Sequence, residues 1–188
     1  MATADPRSAV IDFLTAPRAD VPTAEPADAR ARGPAVPVAR VVRGMPFRAQ
    51  RDTIEFLKER GEQDRRLFAV RCDDEDGRGW FWLVAAERDE RGAWQAHGVA
   101  GGSGDVPHRS EPWLNFCGAW GKERLYGGGQ IHDAGVALSR VRLTLESGRL
   151  LDDDADRGVA LFAAVEDSAP ERIELFDAAG HLAGSHAP

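Results

Sequence analysis

The segment Gly79 to Glu87, GWFWLVAAE, constrains this chain more than any other. Successive side chains of a strand point to opposite faces, and Trp80, Phe81, Trp82, Leu83 and Val84 leave neither face polar. Such a strand must be covered on both sides and sit centrally in its sheet. RLFAVRC precedes it and AWQAHGV follows, across DDEDGR and RDERG, and the Asp76-Gly77 pair is a strong tight-turn signal. The three segments therefore predict an antiparallel meander. One cover for it is expected from Gln50 to Arg60, QRDTIEFLKER, which has good helix formers, Ile54 and Leu57 three apart, and Gly61 as a C-cap.

The C-terminal part continues in the same style. In SRVRLTLESGR, Val141, Leu143 and Leu145 alternate with Arg140, Arg142 and Thr144, so one face is buried and one is wet. RGVALFAAV and ERIELFDAAGHLAG follow, with turns at Ser147-Gly148, Asp156-Arg157-Gly158 and Ala179-Gly180. Turns this closely spaced leave no room for crossover helices. The fold class is mainly β: an antiparallel β-sandwich, either one continuous sandwich or two packed β units, with one or two short helices. One compact body is expected from 39 to 188, the alternative being a subdivision into 39–100 and 124–188 with the Gly/aromatic stretch 98–129 between.

HDAGVALSRVRLTLESG, the GVALF strand and the final IELFDAAGHLAG together resemble uncharacterised actinobacterial β-rich proteins, over roughly the last 60 residues. The closing element also resembles the last hairpin of immunoglobulin-like domains. The resemblance implies an immunoglobulin-like sandwich and no activity.

Residues 1–38 read as an N-terminal extension. Asp5-Pro6 supplies a capping oxygen and a residue whose fixed φ suits the first helical turn. Val10, Phe13 and Leu14 then share a face before Pro17, which predicts an amphipathic helix over 6–16. A helix of about eleven residues is marginal alone, so its face must dock on its own body or on a partner. From Pro17 to Pro37 five prolines and no apolar periodicity read as an extended linker. PVARVVRG beyond it reads as an edge-like strand.

Charge narrows the partners. A formal charge of −7 and a pI near 5.3 provide no basic field for a phosphate backbone, so no nucleic-acid partner is expected. Only Lys58 and Lys122 are lysines, so arginine richness reflects a GC-rich coding bias more than a binding patch. No apolar run approaches the ~18 to 20 residues of a membrane helix, and no membrane partner is expected. The N-terminus lacks the features of a secretory signal, so the expected location is cytoplasmic, with Cys72 and Cys117 as buried thiols.

Gly98 to Gly129 departs from scaffold composition. Nine of the 20 glycines fall there, beside His108, Trp113, Phe116, Cys117, Trp120 and Tyr126, with His132 just beyond. Glycines let a backbone approach a ligand and aromatics offer flat contact area, so a long loop here is the candidate ligand site. GGSGDVP is not a phosphate loop, since no lysine or helix follows it. His97, His108, Cys117 and His132 lack paired zinc spacing; no metal and no cofactor is expected. Asp73 to Asp76 and Asp152 to Asp156 depart from the EF-hand pattern and read as solvated hairpin loops. His132 with Asp133 reads as closing a turn, and His186 as part of a frayed tail.

No complete catalytic constellation is legible. The leading expectation is a noncatalytic interaction module, docking on an unknown protein partner or on a second copy through Val10, Phe13 and Leu14. The alternative is a small-molecule or carbohydrate binder, or an enzyme, using the Gly/aromatic stretch 98–129.

Overall fold

The computed structural model describes residues 5–16, 47–103 and 109–188. The linker from Pro17 to Pro37, the PVARVVRG segment and His108 lie outside the described residues.

Helix α1 spans Pro6–Thr15. The Asp5 carboxylate accepts from the Ser8 backbone N–H and hydroxyl, both at 3.0 Å, satisfying donors that the first turn leaves open. Eleven strands follow among the described residues: β1 Glu55–Glu62, β2 Arg65–Asp73, β3 Gly79–Arg88, β4 Trp94–Ser103, β5 Trp113–Gly121, β6 Arg124–His132, β7 Leu138–Leu145, β8 Leu150–Asp154, β9 Val159–Ala164, β10 Pro170–Asp177 and β11 Leu182–His186. All pair antiparallel, in three sheets ordered β1-β2-β3-β4, β5-β6-β9 and β11-β10-β7-β8. We call these the front, middle and back sheets.

The sheets stack beneath α1, and each gap between layers has its own core. Ala9, Val10 and Leu14 of α1 bury against Phe68, Val70, Trp82 and Val84 on the outer face of the front sheet. The opposite face, with Leu67, Ala69, Leu83 and Ala85, packs on Tyr126, Val159 and Leu161 of the middle sheet. The middle sheet's other face, with Leu114, Leu125, Ala160 and Phe162, packs on Val141, Leu143, Leu145, Ile173 and Leu175 of the back sheet. The meander predicted from β2 to β4 is present, and β3 is covered on both faces. Its first turn is organised by Asp74, whose carboxylate accepts from the N–H groups of Asp76 at 3.0 Å and Arg78 at 2.9 Å, and from the Trp80 indole at 2.8 Å. Burial would raise the Asp74 carboxyl, but these hydrogen bonds hold it below the ordinary carboxylate range.

Two expectations are corrected here. Gln50 to Arg60 does not form a helix: a short 3-10 turn at Arg51–Thr53 gives way to β1. Helix propensity of Glu, Leu, Lys and Arg is worth only tenths of a kcal/mol per residue, and pairing with β2 overrides it. Gly61, expected to cap that helix, instead allows the tight approach at the end of the β1–β2 ladder, where a Cβ would lie 2.2 Å from the Arg65 carbonyl oxygen. Asp152, Asp153 and Asp154 are not in a hairpin loop but on β8, and Asp153 is buried.

That burial belongs to the way the middle sheet's edges are closed. β9 is an edge strand, and its outward N–H at Leu161 donates to Asp153 Oδ2 at 2.7 Å, while its outward carbonyl at Val159 accepts from Lys58 Nζ at 3.3 Å. Lys58 and Asp153 are themselves paired at 2.8 Å, and Arg60 donates to the other Asp153 oxygen at 2.5 Å. Lys58 also pairs with Asp154, whose carboxyl it holds below the ordinary range. Side chains from the front and back sheets thus stand where a further strand would. At the opposite edge Leu114 of β5 donates its N–H to Nε2 of His186 on β11, at 3.1 Å. At each edge of the middle sheet, side chains from other sheets thus take backbone groups that an added strand would use: Val159 and Leu161 on β9, Leu114 on β5.

Candidate functional site

The outer face of the front sheet is an aromatic groove. Alternation along β3 sends Trp80, Trp82 and Val84 to this side, Phe68, Val70 and Cys72 join them from β2, and Phe47 and Ala49 close one end. Phe47 meets Trp80 edge-on at 5.0 Å and Trp82 at 4.8 Å, and the two indoles stack at 5.9 Å. Small residues on β4 make room beside them. At Gly98 a Cβ would sit 3.2 Å from the Phe13 ring, and at Gly101 only 2.4 Å from the Trp82 ring.

Helix α1 fills this groove. Val10 and Leu14 are fully enclosed and Phe13 lies half-buried against Gly98. The rim holds the helix by polar contacts: the Ala49 N–H donates to the Leu14 carbonyl at 3.0 Å, Arg48 Nε to the Thr15 carbonyl at 3.0 Å, and Arg7 pairs with Glu59 at 3.1 Å. An open cleft of about 420 Å³ lies at the helix C-terminus, bordered by Thr15, Arg48, Arg51, Asp52 and Glu75. Val10, Phe13 and Leu14 therefore face the chain's own front sheet, and the extension that reads as a tethered appendage seats its helix on the body.

The Gly/aromatic stretch forms no long loop among its described residues. It is the end of β4, then β5 and most of β6, and the candidate ligand residues are dispersed along both faces of the middle sheet. Phe116 points toward the back sheet and Cys117 toward the front. Trp120 stands at the far end of β5, half exposed. Tyr126 is buried, donating its hydroxyl to Glu87 at 2.5 Å, with the His97 ring 6.3 Å away. Of the described candidates, Cys117 and Tyr126 share the core between the front and middle sheets, while Trp113 and His132 come together as register partners at one end of β5 and β6. There Arg109 lies 4.2 Å over the Trp113 ring, and its carbonyl is 2.9 Å from His132 Nε2. His132 does close β6 ahead of the Asp133 turn, as expected.

Chemistry at these residues is subdued. Burial pushes the Cys117 thiol up to about 12, so it is a neutral thiol and a poor nucleophile. Burial and the Glu87 hydrogen bond raise Tyr126, which stays a donor. Among the described residues no three His, Cys, Asp or Glu side chains converge to hold a metal ion. No helix among them is long and apolar enough to cross a membrane.

His186 is not frayed. It ends β11, accepts from Leu114 and lies edge-on to Trp113 at 6.2 Å. Burial holds its pKa below the ordinary value of 6.5, and protonation at Nε2 would abolish the acceptor. The stability conferred by neutral His186 is therefore complete above about pH 6.5 and drains as pH falls through that value toward the lower folded one. Denaturant midpoints between pH 7.5 and 5 should fall in the wild type and fall less in His186→Gln, which keeps an acceptor that does not titrate. Equal slopes for both would show that this contact does not set the dependence.

The chain matches no family model, no curated protein and no solved structure.

The sequence flags Trp80 and Trp82 as central but not as part of a site. Only the position of α1 shows that they floor a groove, and no local pattern encodes that position.

Proposed function

We propose that this chain is a noncatalytic β-sandwich interaction module that works by helix-in-groove recognition. The front sheet is the receiving surface and α1 is a helix that it receives. The observation that carries this reading is the seating of α1: a ten-residue helix, joined to the body through the 30 positions 17–46, lies in an aromatic groove with matched small residues beneath its rings. Grooves of this kind take amphipathic helices through anchors spaced i, i+3, i+4, and Val10, Phe13 and Leu14 have that spacing. A tethered helix competes at an effective concentration on the order of millimolar, so its own helix holds the groove unless a better one arrives.

The test uses full-length chain carrying Leu14→Asp, which unseats the helix by burying a charge, and a fluorescent peptide of residues 5–16. The peptide should bind the variant with a rise in anisotropy and bind the wild type at least tenfold more weakly, because the groove there is filled. A variant that keeps its strand signal in circular dichroism yet binds no peptide would sink the reading. The alternative reading, a small-molecule or carbohydrate binder on 98–129, draws its remaining support from the grouping of Arg109, Trp113 and His132.

A further inference from the structure

A lysine stands where this chain otherwise uses arginine. Of its 24 lysines and arginines only Lys58 and Lys122 are lysines, and Lys122 is exposed on the β5–β6 turn. Elsewhere among the described residues the ion pairs are made by arginine, or at Asp177 by His181. A guanidinium is the better ion-pair partner, whereas an amine that loses its proton becomes a nucleophile. Lys58 Nζ lies 2.8 Å from Asp153 Oδ2, contacts Asp154 Oδ1, and donates to the backbone carbonyls of Asp154 at 2.7 Å and Val159 at 3.3 Å. The Lys58 and Asp153 side chains are 12% and 4% exposed. Both Asp153 oxygens already meet fixed donors, Arg60 at Oδ1 at 2.5 Å and the Leu161 N–H at Oδ2 at 2.7 Å, which draws electrons from the carboxyl carbon. Asp154 touches the same amine from a largely exposed side chain. One buried amine, one polarised carboxyl and one solvent-linked carboxylate thus meet at a single point.

We infer that Lys58 and Asp153 condense to an isopeptide bond, a covalent tie between β1 of the front sheet and β8 of the back sheet, with Asp154 as the proton relay. Burial favours the neutral amine and acid over the separated charges, and Asp154 passes a proton from the Lys58 ammonium to Asp153 Oδ2. The amine attacks Asp153 Cγ and forms the N–C bond, while Arg60 holds the charge that develops on Oδ1. Asp154 then carries the surplus proton of the nitrogen to the Oδ2 hydroxyl, the Cγ–Oδ2 bond breaks, and one water leaves. An ammonium and a carboxylate become one amide and one water, with no other reactant. Groups held this close react as if at an effective concentration of about 10⁵ M or more, which favours a condensation that dilute water opposes. An arginine at position 58 could make the ion pair but not the bond. Unlinked, the pair joins the two sheets by charge; linked, it joins them covalently.

The test is the intact mass of the full-length chain, followed over days at neutral pH beside Lys58→Arg, Asp153→Ala and Asp154→Ala. The wild type should become lighter than its sequence by one water, and Lys58→Arg and Asp153→Ala should keep their full mass. Asp154→Ala should link about a hundredfold more slowly, the low end of what a positioned acid–base group contributes. Trypsin does not cut after an acylated lysine, so the linked wild type should yield residues 52–60 joined to residues 150–157, and fragmentation should place the bond at Asp153. A folded wild type that stays at full mass overturns the inference, whether or not any variant folds. A water lost without joining these two peptides, as a succinimide at Asp76-Gly77 would lose it, overturns it as well. A bond to Asp154, or an Asp154→Ala chain that links at the wild-type rate, overturns the roles assigned to the two carboxylates. Peptide binding at the groove reads none of this, so the mass and the helix-in-groove reading fail separately.

Discussion

Replacing Asp153 by alanine should cost the chain about 3 to 5 kcal/mol, the loss expected when one partner of a buried ion pair is removed. The carboxylate is 4% exposed and serves three donors: Lys58 at 2.8 Å, Arg60 at 2.5 Å and the Leu161 N–H at 2.7 Å. Removing it leaves Lys58, itself only 12% exposed, with Asp154 as its remaining carboxylate, takes the carboxylate from Arg60 and leaves the β9 edge without its acceptor. Asp153→Asn should cost less, because an amide oxygen can still accept from Leu161. Lys58→Met combined with Asp153→Leu should recover part of the loss, since the more buried cation goes with the carboxylate while Arg60 and Asp154, 38% and 67% exposed, remain in reach of solvent. Glu75→Ala is the contrast: the Arg48–Glu75 pair is 50% and 64% exposed, and its removal should change stability by less than about 1 kcal/mol. Urea unfolding of the four variants measures all of this. An Asp153→Ala loss no larger than that of Glu75→Ala would show that the buried cluster does not hold the front and back sheets around β9.

The mechanism of edge closure also bears on the interaction reading. If the middle sheet's edges are occupied by Asp153, Lys58 and His186, strand addition at those places would have to displace buried polar contacts. Recognition by helix packing on a sheet face meets no such obstacle. The groove under α1 is built from side chains facing outward from covered strands, and its occupant can leave without opening a backbone ladder.

How much of this is legible in the sequence depends on the range of the interactions. The Asp5-Pro6 cap, the Asp76-Gly77 turn and the unbroken apolar run of β3 are decided within a few residues, and the structure has each of them where the sequence places it. The segment 50–60 misleads because its local preference is helical while Lys58 and Arg60 are held by a carboxylate more than 90 positions away. Asp152 to Asp154 looks like a solvated loop for the same reason: alternation along β8 buries Asp153, and only the distant cations make that tolerable. Composition locates Trp113 and His132 near one another but scatters the other candidates, because a strand sends successive residues to opposite faces. The groove is the least legible feature, since Phe47, Trp82 and α1 come from three separate parts of the chain.

The clearest separation between glycines that serve packing and glycines that serve a ligand comes from two substitutions within one stretch. Gly129 lies on β6 at the centre of the middle sheet, paired with Phe116 on one side and Ala160 on the other. A Cβ there would stand 1.9 Å from the Asn115 carbonyl oxygen and 2.7 Å from its carbon, both backbone atoms of the neighbouring strand. No rotamer change relieves that contact, so β5 must move, and moving β5 disturbs the back core through Leu114 and Phe116. Gly129→Ala should therefore lose at least about 3 kcal/mol, at the upper end of overpacking effects, or fail to fold. Gly102 is on β4, exposed, and a Cβ there would meet no described atom within 4 Å, so Gly102→Ala should stay within about 0.5 kcal/mol. A glycine stretch shaped for a ligand would give the opposite result, with stability nearly unchanged at Gly129 and only binding altered. Thermal melts of the two variants beside the wild type distinguish the cases, and a Gly129→Ala melt within a few degrees of wild type would mean that β5 and β6 are not packed this closely.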